Sequence, residues 1–515
     1  MNRMFDVLMT DLVHVVRELG KDGGQINASV YDSAQVLRLA PCITDPEPGI
    51  RWLLQQQQAD GGWGVVHLPK TRDMSTLAAV LAIHTFDRQG HLQDVIDAGI
   101  DFLHGQSSQW KGELSDDIPV GAELILPRLL HDAFEAGLPL SKDPYQSLIK
   151  LGQKRCHMLA QLPEAAKIAT TAAHSWESWG NSPFPIPLDQ AGSVGHNPSA
   201  TAAWLQSTVH TGDIDDARHT AQDYLAQAAF ASNEDIPGIV PTVWPINRFE
   251  QSFGLYALFI SGLLDHVAVQ QFVQPQLDDL AHAVTAQGLS MSDHFIPDGD
   301  DTAVAVAVLH GSGYPIDPSV IRQFNVGDHF CTWSYELQPS ISVTAHAAHA
   351  LNLCGETPHE SLRYLVDRQA PDGRWSGDKW HGSWVYATSQ VMIALIGTPY
   401  EYALTRAVDG LIQHQRWDGG WGSADSNTEE TAYSTIALRL LLREGLLNER
   451  GQTALERAER WLIEAYRPFS MHGCPLWMGK ESYYPPRVAR AFELAALSLA
   501  MGAQKQDLQT REKAA

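Results

Sequence analysis

The residues best suited to chemistry are three carboxylates in four positions, Asp298-Gly299-Asp300-Asp301, followed by Thr302-Ala303 and an apolar run from Val304 to Leu309. Acidic groups this close repel one another, and burying them favours the protonated form of at least one. A carboxyl group held neutral in an apolar cavity is a Brønsted acid in waiting. Alkenes are very weak bases, so an acid meant for one needs hydrogen bonds that stabilise the carboxylate left behind. A calcium loop would continue with further oxygen ligands at alternating positions, whereas here the chain turns apolar. The segment therefore predicts a proton donor, Asp300, oriented and polarised by Asp298 and Asp301.

The elements that position this acid read as helices. Apolar residues recur at helical spacing over 75–84, 432–442 and 488–499. Proline and glycine clusters at 183–187, 237–245 and 315–318 separate such segments, and alternating β patterns are nearly absent. One pattern repeats with identical spacing: Gln57-x-x-Asp60-Gly61-x-Trp63, Gln369-x-x-Asp372-Gly373-x-Trp375 and Gln415-x-x-Asp418-Gly419-x-Trp421. Glycine permits a left-handed turn after a helix. The tryptophan is expected to fold back on the glutamine amide and tie the helix to its successor. Helical repeats of this kind stack into toroids. The expectation is an all-α chain of two α/α toroid domains. One comprises residues 1–39 and 240–515 and carries the acid motif; the other, residues 40–239, is inserted in it.

Bulk properties narrow the partners. The chain has 515 residues, 44% of them apolar, and a formal charge of -24 from 60 acidic and 36 basic side chains. That field repels nucleic acid and anionic membranes, so an anionic small molecule would need a local cationic pocket. Five unclustered cysteines suggest neither a disulfide framework nor a metal site, and the opening residues lack a signal-peptide run. The apolar stretch around Leu255–Leu264 is too short to span a bilayer. A cytoplasmic protein without stable membrane insertion is expected.

Asp298-x-Asp300-Asp301-Thr302-Ala303 resembles the DxDD(S/T)A motif of class II terpene cyclases, and the Gln/Trp turns resemble that superfamily's QW repeats. The similarity runs nearly end to end and is strongest to the diterpene branch. It includes Ser29-Val30-Tyr31-Asp32-Ser33-Ala34, Gly121-Ala122-Glu123-Leu124, Asn197-Pro198-Ser199-Ala200-Thr201-Ala202 and Val240-Pro241-Thr242-Val243-Trp244-Pro245. Asp378-Lys379-Trp380-His381, Glu429-Glu430-Thr431-Ala432-Tyr433 and Pro475-Leu476-Trp477-x-x-Lys480 resemble bacterial halimadienyl-type synthases.

The resemblance implies a βγ arrangement of two α-barrels with the active site between them and no class I α domain. It implies that Asp300 is the general acid, that His346 hydrogen-bonds it with His349 as the alternative, and that His174 is a candidate final base. The asparagine that accompanies this base in ent-copalyl diphosphate synthases is Thr242 here. Trp176, Trp244, Trp333, Trp384 and Tyr386, with Trp179, Phe253 and Tyr433, lie in matched segments and are candidate cavity walls, because aromatic faces stabilise carbocations. Lys379 and Lys480 are the expected diphosphate contacts. Glu113, Asp116 and Asp117 stand where plant relatives carry an acidic magnesium motif, so Mg2+ bound with the diphosphate is the expected cofactor. Asp215-Asp216 and Asp278-Asp279 do not extend to the DDxxD of class I enzymes, so the diphosphate is expected to survive.

These implications point to protonation-initiated cyclisation of geranylgeranyl diphosphate to a copalyl, halimadienyl or kolavenyl-type diphosphate. Farnesyl diphosphate cyclised to a drimane, and a non-catalytic helical-toroid binding protein, are the alternatives. The expected partners are the prenyl diphosphate, a second copy of the chain, and a downstream class I terpene synthase or phosphatase. His346 and His349 lack a third ligand for zinc.

Overall fold

The computed structural model describes residues 2–514 except 41–44, 116, 163–167, 169, 180–185, 209–213, 334–335 and 337. The three repeated turns end their helices alike. Trp63, Trp375 and Trp421 are fully buried, and each indole N–H donates to the carbonyl ten residues earlier, that of Leu53, Leu365 and Leu411. The backbone N–H of each tryptophan ties the turn to the following helix, donating to Thr76, Thr388 and Thr431 Oγ1. Gln57, Gln369 and Gln415 reach one helix further, donating from Nε2 both to the glycine carbonyl of their own turn and to Val95, Ala403 and Ala454 on the second helix along the chain. Gly61, Gly373 and Gly419 have φ of 85°, 88° and 101°. A Cβ on Gly373 would lie 2.0 Å from the Arg406 carbonyl oxygen, so the turn admits only glycine.

These turns help to close a ring. Among the described residues the inner helices are Asn247–Ser261, Gly299–Gly311, Ile341–Leu353, Trp384–Leu395, Thr428–Arg443 and Pro486–Ala514. Each packs on the next and the last returns to the first. Gly299–Gly311, Ile341–Leu353 and Trp384–Leu395 are buried on nearly every face, which their runs of Ala, Val, Ser and Thr allow. Outer helices such as His359–Asp367 and Glu449–Ala465 bury a single stripe. Helix Asn2–Glu18 completes the outer layer against Pro486–Ala514, where Arg490 reaches its buried Asp11.

A second ring forms from Val30–Leu39, Pro69–Phe86, Ala122–Glu135, Trp176–Trp179 and Pro198–Ser207. Helix Val30–Leu39, on the acid-bearing side of the sequence division at residue 39, packs its Tyr31 and Leu37 into the core of this second ring. Ile26 still belongs to the first core. The chain therefore crosses between cores just after residue 26.

A hairpin joins the rings. Strands Trp477–Met478 and Ser482–Tyr483 pair antiparallel, and their connecting turn enters the second ring. There the Glu481 carboxylate accepts the N–H groups of Val30 and Tyr31 at 3.0 and 2.8 Å, at the start of a helix where such donors lack partners. Ser75 Oγ donates to it at 2.6 Å. Burial pushes the Glu481 carboxyl up to about 7. No described helix is long and apolar enough to cross a membrane. Gly373→Ala is expected to cost at least about 2 kcal/mol through left-handed strain and overpacking, measured as a lowered midpoint of thermal unfolding.

Candidate active site

Helix Gly299–Gly311 begins at the acid motif because Asp298 is its N-cap. Asp298 Oδ1 accepts the N–H groups of Asp300 and Asp301 at 3.0 and 2.8 Å. Gly299 is required by close packing, since a Cβ there would lie 2.2 Å from the Cys331 carbonyl oxygen. All three carboxyls are buried, Asp300 being the most accessible at 9%. Burial, and then the charge of Asp301, push the Asp298 carboxyl well above its usual range. Burial also raises Asp301, to about 7, against a hydrogen bond from Ser252 Oγ at 2.8 Å. Asp298 Oδ2 is buried without a hydrogen-bond partner among the described residues, and the nearby Asp301 charge raises its carboxyl further, so the pair favours a proton on one of its members.

Asp300 is held differently. Its Oδ1 lies 2.6 Å from His346 Nδ1, and His346 Nε2 lies 3.2 Å from Gln390 Oε1. Gln390 Oε1 can only accept, so Nε2 carries a proton and Nδ1 is left to serve Asp300. Of the two histidines on Ile341–Leu353, His346 thus meets the acid. His349 bonds Tyr256 Oη at 2.9 Å and is pushed down to about 3 by burial. The second Asp300 oxygen remains for chemistry, and the helix N-terminus stabilises the carboxylate formed when a proton leaves.

Asp298, Asp300 and Asp301 line a small cavity of ≈70 Å³ with Val243, Ile246, Met291 and a set of rings: Phe249, Phe253, Trp333, Trp380, Trp477 and Tyr483. Of these rings, sequence matching names Phe253 and Trp333. Phe249, Trp380 and Trp477 lie inside matched motifs, which is the available signal, whereas Tyr483 and Gln390 carry none. Tyr386 lies behind this wall, buried and stacked on His381 at 4.1 Å. Tyr433 lies there too, 4.9 Å from Tyr386. Trp384 does not belong to the site. It faces Arg374 and His414 at the outer turn, because as the first residue of its helix it sits one position away from the inward face.

A second cavity of ≈320 Å³ adjoins the first, with Trp333 and Trp380 lining both. It carries two cations. Lys379 pairs with Glu336 at 2.7 Å and Arg155 with Glu123 at 3.2 Å. Arg155 lies on helix Gln146–Gln161, which offers no motif. Lys480 is elsewhere. It is fully buried, donating to Glu177, Asn197 Oδ1 and Ser199 Oγ at 2.5, 2.8 and 3.0 Å. Its charge is consumed by Glu177 and by Asp32, 4.0 Å away. The expectation that Lys480 contacts a diphosphate is therefore corrected: it fastens the hairpin into the second ring.

The acidic triplet expected to hold magnesium is only partly visible, since Asp116 lies outside the described residues. Glu113 is exposed, and Asp117 Oδ1 accepts from the Lys70 ammonium and Ser115. A carboxylate already paired with an ammonium is a poor metal ligand. Among the described residues, no three His, Cys, Asp or Glu side chains gather as a metal site. No step below runs through the ion.

His174 is buried, donates from Nδ1 to the Gly195 carbonyl at 2.9 Å, and is driven down to about 3 by burial and then by the Lys480 charge. A neutral ring with Nδ1–H engaged leaves Nε2 as a lone-pair acceptor. The neighbouring Ser175 and Thr170–Ala172 line the larger cavity. Trp176 and Trp244 are buried in the second ring's core, and among the described residues their indole nitrogens, like Thr242 Oγ1, have no hydrogen-bond partner. Trp179 donates to the Ala172 carbonyl at 2.9 Å.

Comparison with known proteins agrees with this geometry. The squalene-hopene cyclase C-terminal domain family matches residues 336–464. A (+)-kolavenyl diphosphate synthase of Herpetosiphon aurantiacus is 42% identical over 96% of this chain and 98% of its own length. A copalyl diphosphate synthase of Streptomyces cyslabdanicus is 29% identical over 92% of each chain. The solved ent-copalyl diphosphate synthase from Streptomyces platensis superposes with a TM-score of 0.77, at 27% identity, over 96% of this chain and 99% of that one. With an acid-bearing helix facing an aromatic cavity in two joined helical rings, and a relative this similar end to end, the chain belongs to the class II diterpene cyclases.

Proposed function

We propose that this enzyme cyclises geranylgeranyl diphosphate to a bicyclic, kolavenyl-type diphosphate, with Asp300 as the general acid. The carrying observation is that Asp300 is bonded through one oxygen to His346 at 2.6 Å while it lines an aromatic cavity. Asp300 delivers its proton to the terminal alkene. Electrons of successive double bonds then close two rings, and the positive charge moves with them. Hydride and methyl shifts follow, and loss of a proton to a base forms the final alkene. The C–O bond to the diphosphate is never broken. His174 Nε2, uncharged, lines neither cavity, so it suits a proton lost before the charge returns to the first-formed ring and not one lost beside Asp300. The 42% identity to a (+)-kolavenyl diphosphate synthase supports both the C20 substrate and the skeleton.

The cavities divide the substrate. Arg155 and Lys379 suit the diphosphate end in the larger one, and the acid cavity takes the terminal alkene. At ≈70 Å³ the acid cavity is little more than the liquid share of two waters, about 30 Å³ each. A bicyclic skeleton is larger, so binding opens it toward its neighbour at Trp333 and Trp380. Water-poor aromatic walls keep the cation from being quenched.

Asp300→Asn is expected to lower turnover by at least about 100-fold, with folding unchanged by circular dichroism. Turnover within tenfold of wild type would reject the assignment. Products are read by dephosphorylation and mass spectrometry, and preferential conversion of farnesyl diphosphate to a drimane would replace the C20 reading. Activity also depends on the protonation of Asp298 and Asp301. Asp298 is pushed well above its usual range and Asp301 up to about 7, so Asp301 is the member of the pair that loses its proton as pH rises through about 7. The added negative charge then opposes proton release from Asp300. kcat/KM should therefore fall as pH rises through about 7, and Asp301→Asn should remove or displace that limb.

A further inference from the structure

Trp477 walls the acid cavity, and its indole N–H is engaged from behind the wall. Nε1 donates at 2.9 Å to Oε1 of Glu429, a residue 3% exposed in the first turn of helix Thr428–Arg443. The same oxygen accepts Tyr433 Oη at 2.7 Å. Glu429 Oε2 is buried with no hydrogen-bond partner among the described residues. Among the described residues no lysine or arginine pairs with Glu429; its ionic neighbour is His381 Nε2, 3.9 Å away. Ser383 N–H donates to His381 Nδ1 at 3.1 Å, so the neutral ring carries its proton on Nε2, toward Glu429. The surrounding rings are Tyr386 and Phe492 beside Tyr433, and Phe249 and Phe253 beside Trp477.

A desolvated carboxylate with an unused oxygen is expensive to keep. Here it is held behind the wall of a chamber in which positive charge develops. We infer that Glu429 is a positioning residue that orients and polarises Trp477, so that the indole face stabilises the carbocation once its charge returns to the first-formed ring. Accepting the indole N–H pushes electron density onto the π-face and strengthens its attraction for a cation. The location selects the stage. Asp300 protonates the end of the chain that becomes the first ring, and ring closure carries the charge into the second. Hydride and methyl shifts bring it back beside Asp300 and Trp477, which line the same cavity. The inference rests on the proposed cyclisation and adds what draws the charge through the full set of shifts.

The test compares wild type, Glu429→Gln, Glu429→Asp, Trp477→Phe and the double variant Glu429→Gln/Trp477→Phe. With geranylgeranyl diphosphate, Glu429→Gln should lower kcat about tenfold with KM within twofold. Its products should shift toward less rearranged bicyclic diphosphates, and Glu429→Asp should partly restore the wild-type product. Trp477→Phe should give the same shift, with Glu429→Gln adding little to it, since one acts through the other. Calorimetry supplies an arm independent of turnover. A bicyclic diphosphate analogue bearing an ammonium in the first ring should bind Glu429→Gln at least tenfold more weakly, and its neutral carbocyclic counterpart equally well. Equal loss for both analogues, additive effects in the double variant, or an unchanged product mixture would overturn the inference. Should Glu429→Gln fail to fold, Trp477→Phe with Glu429 intact carries the same comparison of analogues. Failure of wild type to consume any prenyl diphosphate would instead count against the cyclisation, while the analogue arm still reads Glu429.

Discussion

Three carboxylates at the head of an apolar helix would ordinarily be ruinous, since each buried charge costs several kcal/mol unless it is neutralised or bonded. The structure resolves this by giving each acid a different fate. Asp298 spends one oxygen on the helix N-terminus, and Asp301 takes the Ser252 hydroxyl while burial pushes both of their carboxyls up toward the neutral form. Asp300 takes His346, which leans on Gln390. The second oxygen of Asp300, the most accessible of the three acids, is then left for the cavity. The ring of helices can be understood as the frame that makes this allocation possible, because Ser252, Asp300, His346 and Gln390 each come from a different inner helix.

The chain's overall charge is largely irrelevant at this scale. Its acidic surplus does not leave the larger cavity without cations, and Arg155 and Lys379 do not arrive there unopposed. Each is already matched with a glutamate. An arriving diphosphate competes with Glu123 and Glu336 for those cations, which tempers affinity in a site that has to release a charged product.

The acid motif and the repeated turns were legible in sequence because both depend on local spacing. An N-cap aspartate two and three residues ahead of its partners is a short-range pattern, and so is a glycine with forced positive φ. Assigning His346 over His349 took family resemblance, since both lie on one alanine-rich helix and only packing against Gly299–Gly311 separates them. Lys379 was placed at a cavity, but Lys480 was misassigned. A lysine conspicuous in a motif looks like a ligand contact until Asp32, Glu177 and Asn197, hundreds of residues away, are seen to surround it. Trp384 misled for a related reason, as neighbouring positions on a helix face different ways. Gln390 and Arg155 sit on helices with no distinguishing local signal, and only tertiary structure reveals them.

The hairpin Trp477–Tyr483 has two loyalties. Its strand residues Trp477 and Tyr483 shape the reaction chamber, while Lys480 and Glu481 at its tip are buried among residues of the other ring. Neither ring is thus a portable module. Excising the second would strand an ammonium and a carboxylate in an apolar setting and loosen two aromatic walls together. The same linkage opens an evolutionary route: substitutions at Tyr31, Ser75 or Glu177, remote from any reacting carbon, can tilt the chamber wall and so alter which skeleton emerges, without disturbing the proton donor.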